Sequence, residues 1–373
     1  MEARSFRAGF LFLTPMKKIL AVFTLLLLIT SCQEPESANS NEKETGAPPP
    51  AQDIPPTPRT GDLAKIDSLS RLLRDDPDNL EAYLMRAELL LKRKEARSAA
   101  NDIYNAMQLD SNSARARSLK GQLHFVQNRT RLSKREWERC IELDPENIEC
   151  RLRLAELYII VMDFKAALKL LDKVISLDDD NAQAYFLKGI VVRDMRQDTS
   201  LALQYFQRAV DLKQDYVKAL DMMGVMLSAQ NDTLAKFYFQ RILELEPNRG
   251  DIYFKLGVYH MNQDNINRAI ESFTRAVQLS PRDAESYFNL GFIHIQLKEY
   301  EQASKYFTSA IQVREKNYKA YYGRGYCYEM GGQYKKAKAD YLQAIESNPI
   351  YKPAGEGLQR VNEALAELEA AGQ

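Results

Sequence analysis

The chain has 373 residues, with 51 Lys plus Arg against 51 Asp plus Glu and three histidines. That balance excludes the basic field on which nucleic-acid binding rests. Charged residues at 27% and apolar residues at 45% are ordinary for a folded, water-exposed chain; the length accommodates one large core or two domains.

From Met16 the sequence reads MKKILAVFTLLLLITSC: two lysines, an apolar run from Ile19 to Ile29, a small residue, then Cys32. This basic, apolar, small order is that of a secretory signal, with a core too short to span a bilayer comfortably. The ending Ile29-Thr30-Ser31-Cys32 resembles a bacterial lipobox. The resemblance implies cleavage after Ser31 and lipidation of Cys32; the plain alternative is a signal peptide with an incidental cysteine. Several acyl chains on one residue hold a protein firmly to a bilayer, where one chain is marginal. Residues 1–15 fit poorly ahead of such a signal, so the expected start is Met16 and the signal occupies 1–31. Gln33 stands where enteric lipoproteins retained at the inner membrane have Asp, so the likeness implies the outer membrane, on either face.

Residues 32–61 follow as a tether. Seven of the fourteen prolines lie between 33 and 61, with hardly any apolar side chains. Such a segment buries too little surface to offset its ordering entropy. At roughly 3 Å per residue it reaches at most about 90 Å.

A leading helix is expected over 62–79, where Leu63–Arg74 is amphipathic and Pro77 follows. From there a period near 34 emerges. Ala87, Gly121, Ala155, Gly189, Gly224, Gly257, Gly291 and Gly325 mark eight copies over 80–350. Each is followed, about twelve residues on, by Ala99, Ser133, Ala167, Ala202, Ala235, Ala269, Ala303 or Ala337, allowing one inserted residue in copy 4 and one deleted in copy 5. Four residues later comes a bulky one: Ile103, Trp137, Leu171, Phe206, Phe239, Phe273, Phe307 or Tyr341. Prolines recur at 77, 145, 247, 281 and 349. The spacing predicts two antiparallel helices per copy, the small residues allowing close backbone approach and the bulky one filling the space beside them. Proline falls where the second helix must end. After Pro353, Leu358, Val361, Leu365 and Leu368 lie on one stripe, which predicts a capping helix within 351–373.

This pattern, with Tyr-x-x-Leu-Gly at Tyr253–Gly257 and Tyr287–Gly291, resembles the tetratricopeptide repeat. The likeness covers residues 80–350 and is most specific in copies 6, 7 and 8. Copies 1, 2 and 5 depart most; Arg117 and Leu220 replace a family aromatic. It implies an all-α, right-handed α-solenoid of about eight helix pairs with leading and capping helices.

His260 and His294 hold the same repeat position, three after the glycine, where copies 3 and 8 have Tyr158 and Tyr328. They read as ring residues within helices rather than as a metal or acid–base pair; neighbouring repeats set them about 10 Å apart. Cys140 and Cys150 occupy positions that match in size across the other junctions, so they are expected to face each other. They could form a disulfide in an oxidising compartment or remain two small buried thiols. No phosphate loop, Gly-x-Ser-x-Gly or His-Glu-x-x-His occurs. No catalytic residue, metal or cofactor is expected.

In the family, first helices line the concave face where peptides dock, and the residue after the Gly/Ala faces that groove, often as Asn. Here it reads Glu88, Gln122, Glu156, then Ile190, Val225, Val258, Phe292, Tyr326. The position three before the Gly/Ala adds Phe186, Phe254, Phe288 and Tyr322. An apolar strip is therefore expected in the later copies, suited to an apolar segment or helix of a partner protein. Aromatics before the glycine are equally family-typical packing residues. The family's carboxylate clamp, which needs Lys and Asn, is not matched. The expected role is a non-catalytic outer-membrane lipoprotein scaffold that recruits cell-envelope proteins to a secretion, pilus or cell-wall assembly. The alternatives are a periplasmic chaperone of exported apolar segments and a localiser or activator of an envelope hydrolase.

Overall fold

A computed structural model describes residues 61–372; the expected signal, Cys32 and nearly all of the tether lie outside the described residues. Among the described residues there are eighteen α-helices and no strand. A single helix, α1 (Asp62–Asp75), comes first. Pairs follow as α2 (Leu80–Lys92) with α3 (Ala96–Leu109), α4 (Ala114–Val126) with α5 (Thr130–Leu143), and α6 (Ile148–Ile160) with α7 (Phe164–Leu177). Next are α8 (Ala182–Arg196) with α9 (Thr199–Leu212), and α10 (Val217–Ala229) with α11 (Leu234–Leu245). Then come α12 (Gly250–Asn262) with α13 (Ile266–Leu279), α14 (Ala284–Gln296) with α15 (Tyr300–Val313), and α16 (Tyr318–Met330) with α17 (Tyr334–Ser347). The last helix is α18 (Lys352–Ala370). They form two compact units, residues 61–212 with α1–α9 and residues 213–372 with α10–α18. In each, helix pairs stack as in an all-α solenoid.

Local chemistry sets the helix ends. Most first helices start at an Asn, Asp or Ser whose side chain accepts from the backbone three residues on: Asn79, Ser113, Asn147, Asn181, Asp283 and Asn317. Each second helix ends two residues before Pro77, Pro145, Pro247, Pro281 or Pro349 where a proline is present. The turn inside each pair passes through one left-handed residue: Lys94, Asn128, Met162, Gln197, Asn231, Asp264, Lys298 and Gly332, with φ between 52° and 70°. Only the last is glycine, the residue that bears this conformation without a Cβ clash. The inserted residue of copy 4 lengthens α8 before Gln197, and the deleted residue of copy 5 shortens the stretch between Asn231 and Ala235.

The core follows the repeat. All eight small second-helix residues, from Ala99 to Ala337, are fully buried, and the bulky residues four beyond are at most 2% exposed. The glycines are there for the rings as much as for the backbones. A Cβ on Gly121 would lie 2.4 Å from Trp137, and one on Gly189, Gly224 or Gly257 would lie 2.6 Å from Phe206, Phe239 or Phe273. Where the bulky residue is aliphatic, Ile103 or Leu171, the first helix has Ala87 or Ala155 instead. Gly257→Ala is therefore expected to cost roughly 1–3 kcal/mol by overpacking. Adding Phe273→Leu, which recreates the Ala155/Leu171 pair of copy 3, is expected to recover part of that loss in a denaturant double-mutant cycle.

The capping helix is more than a lid. Ala354, fully buried, lies 34 residues after the fully buried Ala320, and Gly357 lies 34 after Gly323. A Cβ on Gly323 would lie 2.5 Å from Phe307, and one on Gly357 would lie 2.6 Å from Tyr341. α18 is thus the first helix of a ninth unit with no second helix among the described residues. α1 is correspondingly a second helix without a first among the described residues: Ser70 receives Arg86 Nη1 at 2.9 Å, as Thr308 receives Arg324 Nη1 at 3.2 Å seven periods later.

Candidate partner-binding face

First helices of neighbouring copies touch one another, α2 with α4 and α6 with α8 in one unit, α14 with α16 and α16 with α18 in the other. Their shared face is where the expected strip falls. In the unit of residues 61–212 it is a polar ladder. Arg115 pairs with both Glu81 and Glu88 of the preceding first helix, and Gln183 Nε2 donates to Glu156 at 2.9 Å. Two of the residues after the Gly/Ala there, Glu88 and Glu156, are acids that meet a donor one copy later. Ile190 and Phe186, in α8 of the same unit, are half-buried against Leu171 and its neighbours, with Phe186 5.7 Å from Phe206.

In the unit of residues 213–372 the same position carries Val225, Val258, Phe292 and Tyr326, all half-buried. Phe292 and Tyr326 lie against the core of copies 7 and 8, and Tyr326 meets Tyr300 at 6.3 Å. Charges flank the strip: Lys255 Nζ bridges to Asp221 at 2.6 Å, and Arg314 Nη1 to Glu285 at 2.6 Å. The residues three before the glycine behave differently. Phe254, Phe288 and Tyr322 each approach the bulky ring of their own second helix, at 5.8, 5.7 and 5.7 Å. Tyr322 is 5% exposed and also meets Tyr351 at 5.5 Å, so it offers a partner no open surface. These side chains are placed as packing first and surface second.

The other singled-out residues fall outside this face or are closed to chemistry. Cys140 and Cys150 are joined in a disulfide between α5 and α6, with Cα atoms 6.3 Å apart and both residues fully buried. Closing a loop of that length is worth about 2–3 kcal/mol. Replacing both by alanine, the pair found at Ala106/Ala116, is expected to lower denaturant stability by that amount in the oxidised protein. Burial pushes the Cys327 thiol up to about 12, far from a nucleophile's range. His294 Nδ1 meets Glu299, and its ring stacks on Tyr306 at 5.2 Å. His260 is 7% exposed and edge-on to Tyr259. His124, three after Gly121, is a third histidine at the same repeat position. No group of three or more His, Cys, Asp or Glu that could hold a metal occurs among the described residues, and none of their helices is long and apolar enough to cross a membrane.

What the sequence reading missed were contacts between copies. The signal was available: Arg115 lies 27 residues from Glu88, Gln183 27 from Glu156, and Lys255 34 from Asp221. A periodic chain turns such spacings into neighbours.

Comparison with known proteins agrees with this architecture. Models of the tetratricopeptide repeat match residues 66–115, 162–217, 250–283, 284–317 and 318–351. The unmatched stretches hold most of copies 2 and 5, where Arg117 and Leu220 replace the family aromatic. Arg117 there pairs with the buried Glu136 at 3.0 Å, and Leu220 is 1% exposed. The C-terminal part of a tetratricopeptide-repeat-containing protein from Cytophaga hutchinsonii superposes with a TM-score of 0.54 at 19% identity, covering 64% of this chain and 98% of that one. Human protein O-mannosyl-transferase TMTC3 is 26% identical over 250 residues, which is 56% of this chain and 27% of that protein. The chain thus spans about a quarter of that relative's length. With the repeat matched over more than half of its residues and its helix pairs stacked accordingly, the chain belongs to the tetratricopeptide-repeat family.

Proposed function

We propose that the protein is a non-catalytic scaffold of the bacterial cell envelope, lipidated on Cys32 and held at the outer membrane by its Pro-rich tether. Its solenoid recruits a partner protein to a secretion, pilus or cell-wall assembly. The observation that carries this reading is the change of chemistry along one repeat position: acids paired to the next copy at Glu88 and Glu156, then half-buried apolar groups at Val225, Val258, Phe292 and Tyr326. An apolar segment or helix of the partner fits such a strip, with Phe292 and Tyr326 as anchors and the flanking charges setting register. The transferase in the name of the human relative is that protein's activity, and this chain covers about a quarter of that protein.

The test is affinity capture from crosslinked membranes, with native protein and a Phe292→Glu/Tyr326→Glu variant side by side and circular dichroism as the folding control. One protein captured in proportion by the native form and lost with the folded variant supports the scaffold. Many clients at low occupancy would instead indicate a chaperone. Identical captures by the two forms remove the strip from the account.

A further inference from the structure

Copies differ in how they fill the space between the residue before the Gly/Ala and the residue three after the small second-helix position. In copies 1, 2 and 8 it holds ion pairs: Arg86 with Asp102 at 2.6 Å, Lys120 with Glu136 at 3.0 Å, Arg324 with Asp340 at 2.8 Å. In copy 4, Lys188 lies 5.1 Å from the Tyr205 ring, and copies 5 and 7 have Tyr238 and Tyr306. Copy 6 has Leu256 and Ser272, and Ser272 Oγ turns back to the Arg268 carbonyl at 2.8 Å. A serine where its neighbours carry tyrosine leaves a cleft of about 670 Å³ between α11, α12 and α13.

Beside the cleft lies a histidine that lacks the partners its counterpart in copy 7 has. His294 is stacked by Tyr306 and paired with Glu299. His260, its counterpart, has Ser272 and Asn265 at those places and no hydrogen-bond partner among the described residues, although it is 93% buried. Around it stand Lys236 from α11 and Arg268 and Arg275 from α13, against one carboxylate, Glu271. Neither Lys236 nor Arg268 makes an ion pair among the described residues, and Arg275 lies 6.0 Å over the Tyr253 ring. Gln240, Thr274 and Gln278 complete a wall rich in donors.

Three cations against one carboxylate complement a dianion, and the donors suit an acceptor-only oxyanion; a phosphate group carries a charge of about −1.5 to −2 near neutrality. We infer that the cleft between α11, α12 and α13 is a phosphate-binding site, with Lys236, Arg268 and Arg275 neutralising the oxyanion and His260 donating to it. The phosphate arrives either free, on a small molecule, or as a lipid headgroup. Burial, together with the charges of Arg268 and Lys236, holds the His260 imidazole below 6.5, with Glu271 opposing. A bound dianion adds an attraction for the protonated ring and must therefore move its titration upward.

With three histidines in the chain, imidazole NMR of the full-length protein reads the site directly. Inorganic phosphate, with chloride at matched ionic strength as control, is expected to shift the His260 signals saturably and raise their titration, leaving His124 and His294 unmoved. Lys236→Gln/Arg268→Gln should weaken binding about tenfold or more. Ser272→Tyr, which restores the residue of copies 5 and 7 and so preserves the fold, should abolish it. Vesicles of phosphatidylcholine with and without phosphatidic acid form the second arm. A response confined to the acidic vesicles and lost in Ser272→Tyr assigns the headgroup as the source. No response in either arm, an equal response to chloride, or one that survives Ser272→Tyr overturns the site.

Discussion

Replacing Phe307 by alanine is expected to cost about 3–5 kcal/mol, and to do so locally. The ring is fully buried between two first helices that meet it with glycine, at Gly291 and Gly323, and Phe288 lies beside it at 5.7 Å. A Cβ on Gly291 would lie 2.9 Å from it, and one on Gly323 would lie 2.5 Å from it. Its removal takes the packing from both walls at once, and the glycines that face the ring offer nothing to fill the void. Copies of a solenoid are held by their nearest neighbours, so the loss falls on the seam between copies 7 and 8. Hydrogen exchange should show α16, α17 and α18 losing protection while α1–α9 keep theirs. An even loss over the chain, or a cost under about 1 kcal/mol, would contradict this picture of the seam.

A comparable loss is expected from Arg360→Met, by a different mechanism. The Glu329 side chain is 8% exposed; it accepts from Tyr341 Oη and from Arg360 Nε at 2.7 Å and Nη2 at 3.0 Å. Burial, with Glu329 next in effect, pushes the Tyr341 hydroxyl well above its ordinary range, so it stays a donor. Taking away the guanidinium strands a carboxylate beneath α18, a situation that costs about 3–5 kcal/mol near neutrality. Denaturant titrations at about pH 7 should show that loss, and Arg360→Lys, which keeps a positive charge beside Glu329, should recover part of it. A lysine variant no more stable than the methionine one would show that Arg360 acts through packing alone.

The architecture was legible because one chemical contrast, small residue against bulky residue, recurs at fixed spacing. Its physical meaning was only half legible: the first-helix glycines leave room for rings, which explains why Ala87 and Ala155 go with Ile103 and Leu171. The identity of α18 was also written in the spacing of Ala320 to Ala354 and Gly323 to Gly357, but a repeat without its second half shows no full motif. The left-handed turns were hidden because Lys94, Met162, Gln197 and Lys298 lack the chemistry that usually marks them. On the candidate face, sequence could not separate residues that present surface from those that pack. Tyr322 and Tyr326 both look like groove aromatics; only the position of Tyr351 shows that one of them is covered. The equivalence of His260 and His294 was readable, but their different surroundings were not, since that depends on which second-helix residue, Ser272 or Tyr306, faces the ring.

The most direct measurement places a photo-crosslinking amino acid in turn at positions 258, 292 and 326, and at position 305 on a second helix as control, in cells producing the full chain. Partner docking on the apolar first-helix strip predicts that one protein is crosslinked from 258, 292 and 326 and not from 305. Crosslinking of that protein from 305 alone, or no crosslinking from any of the three strip positions, would contradict it.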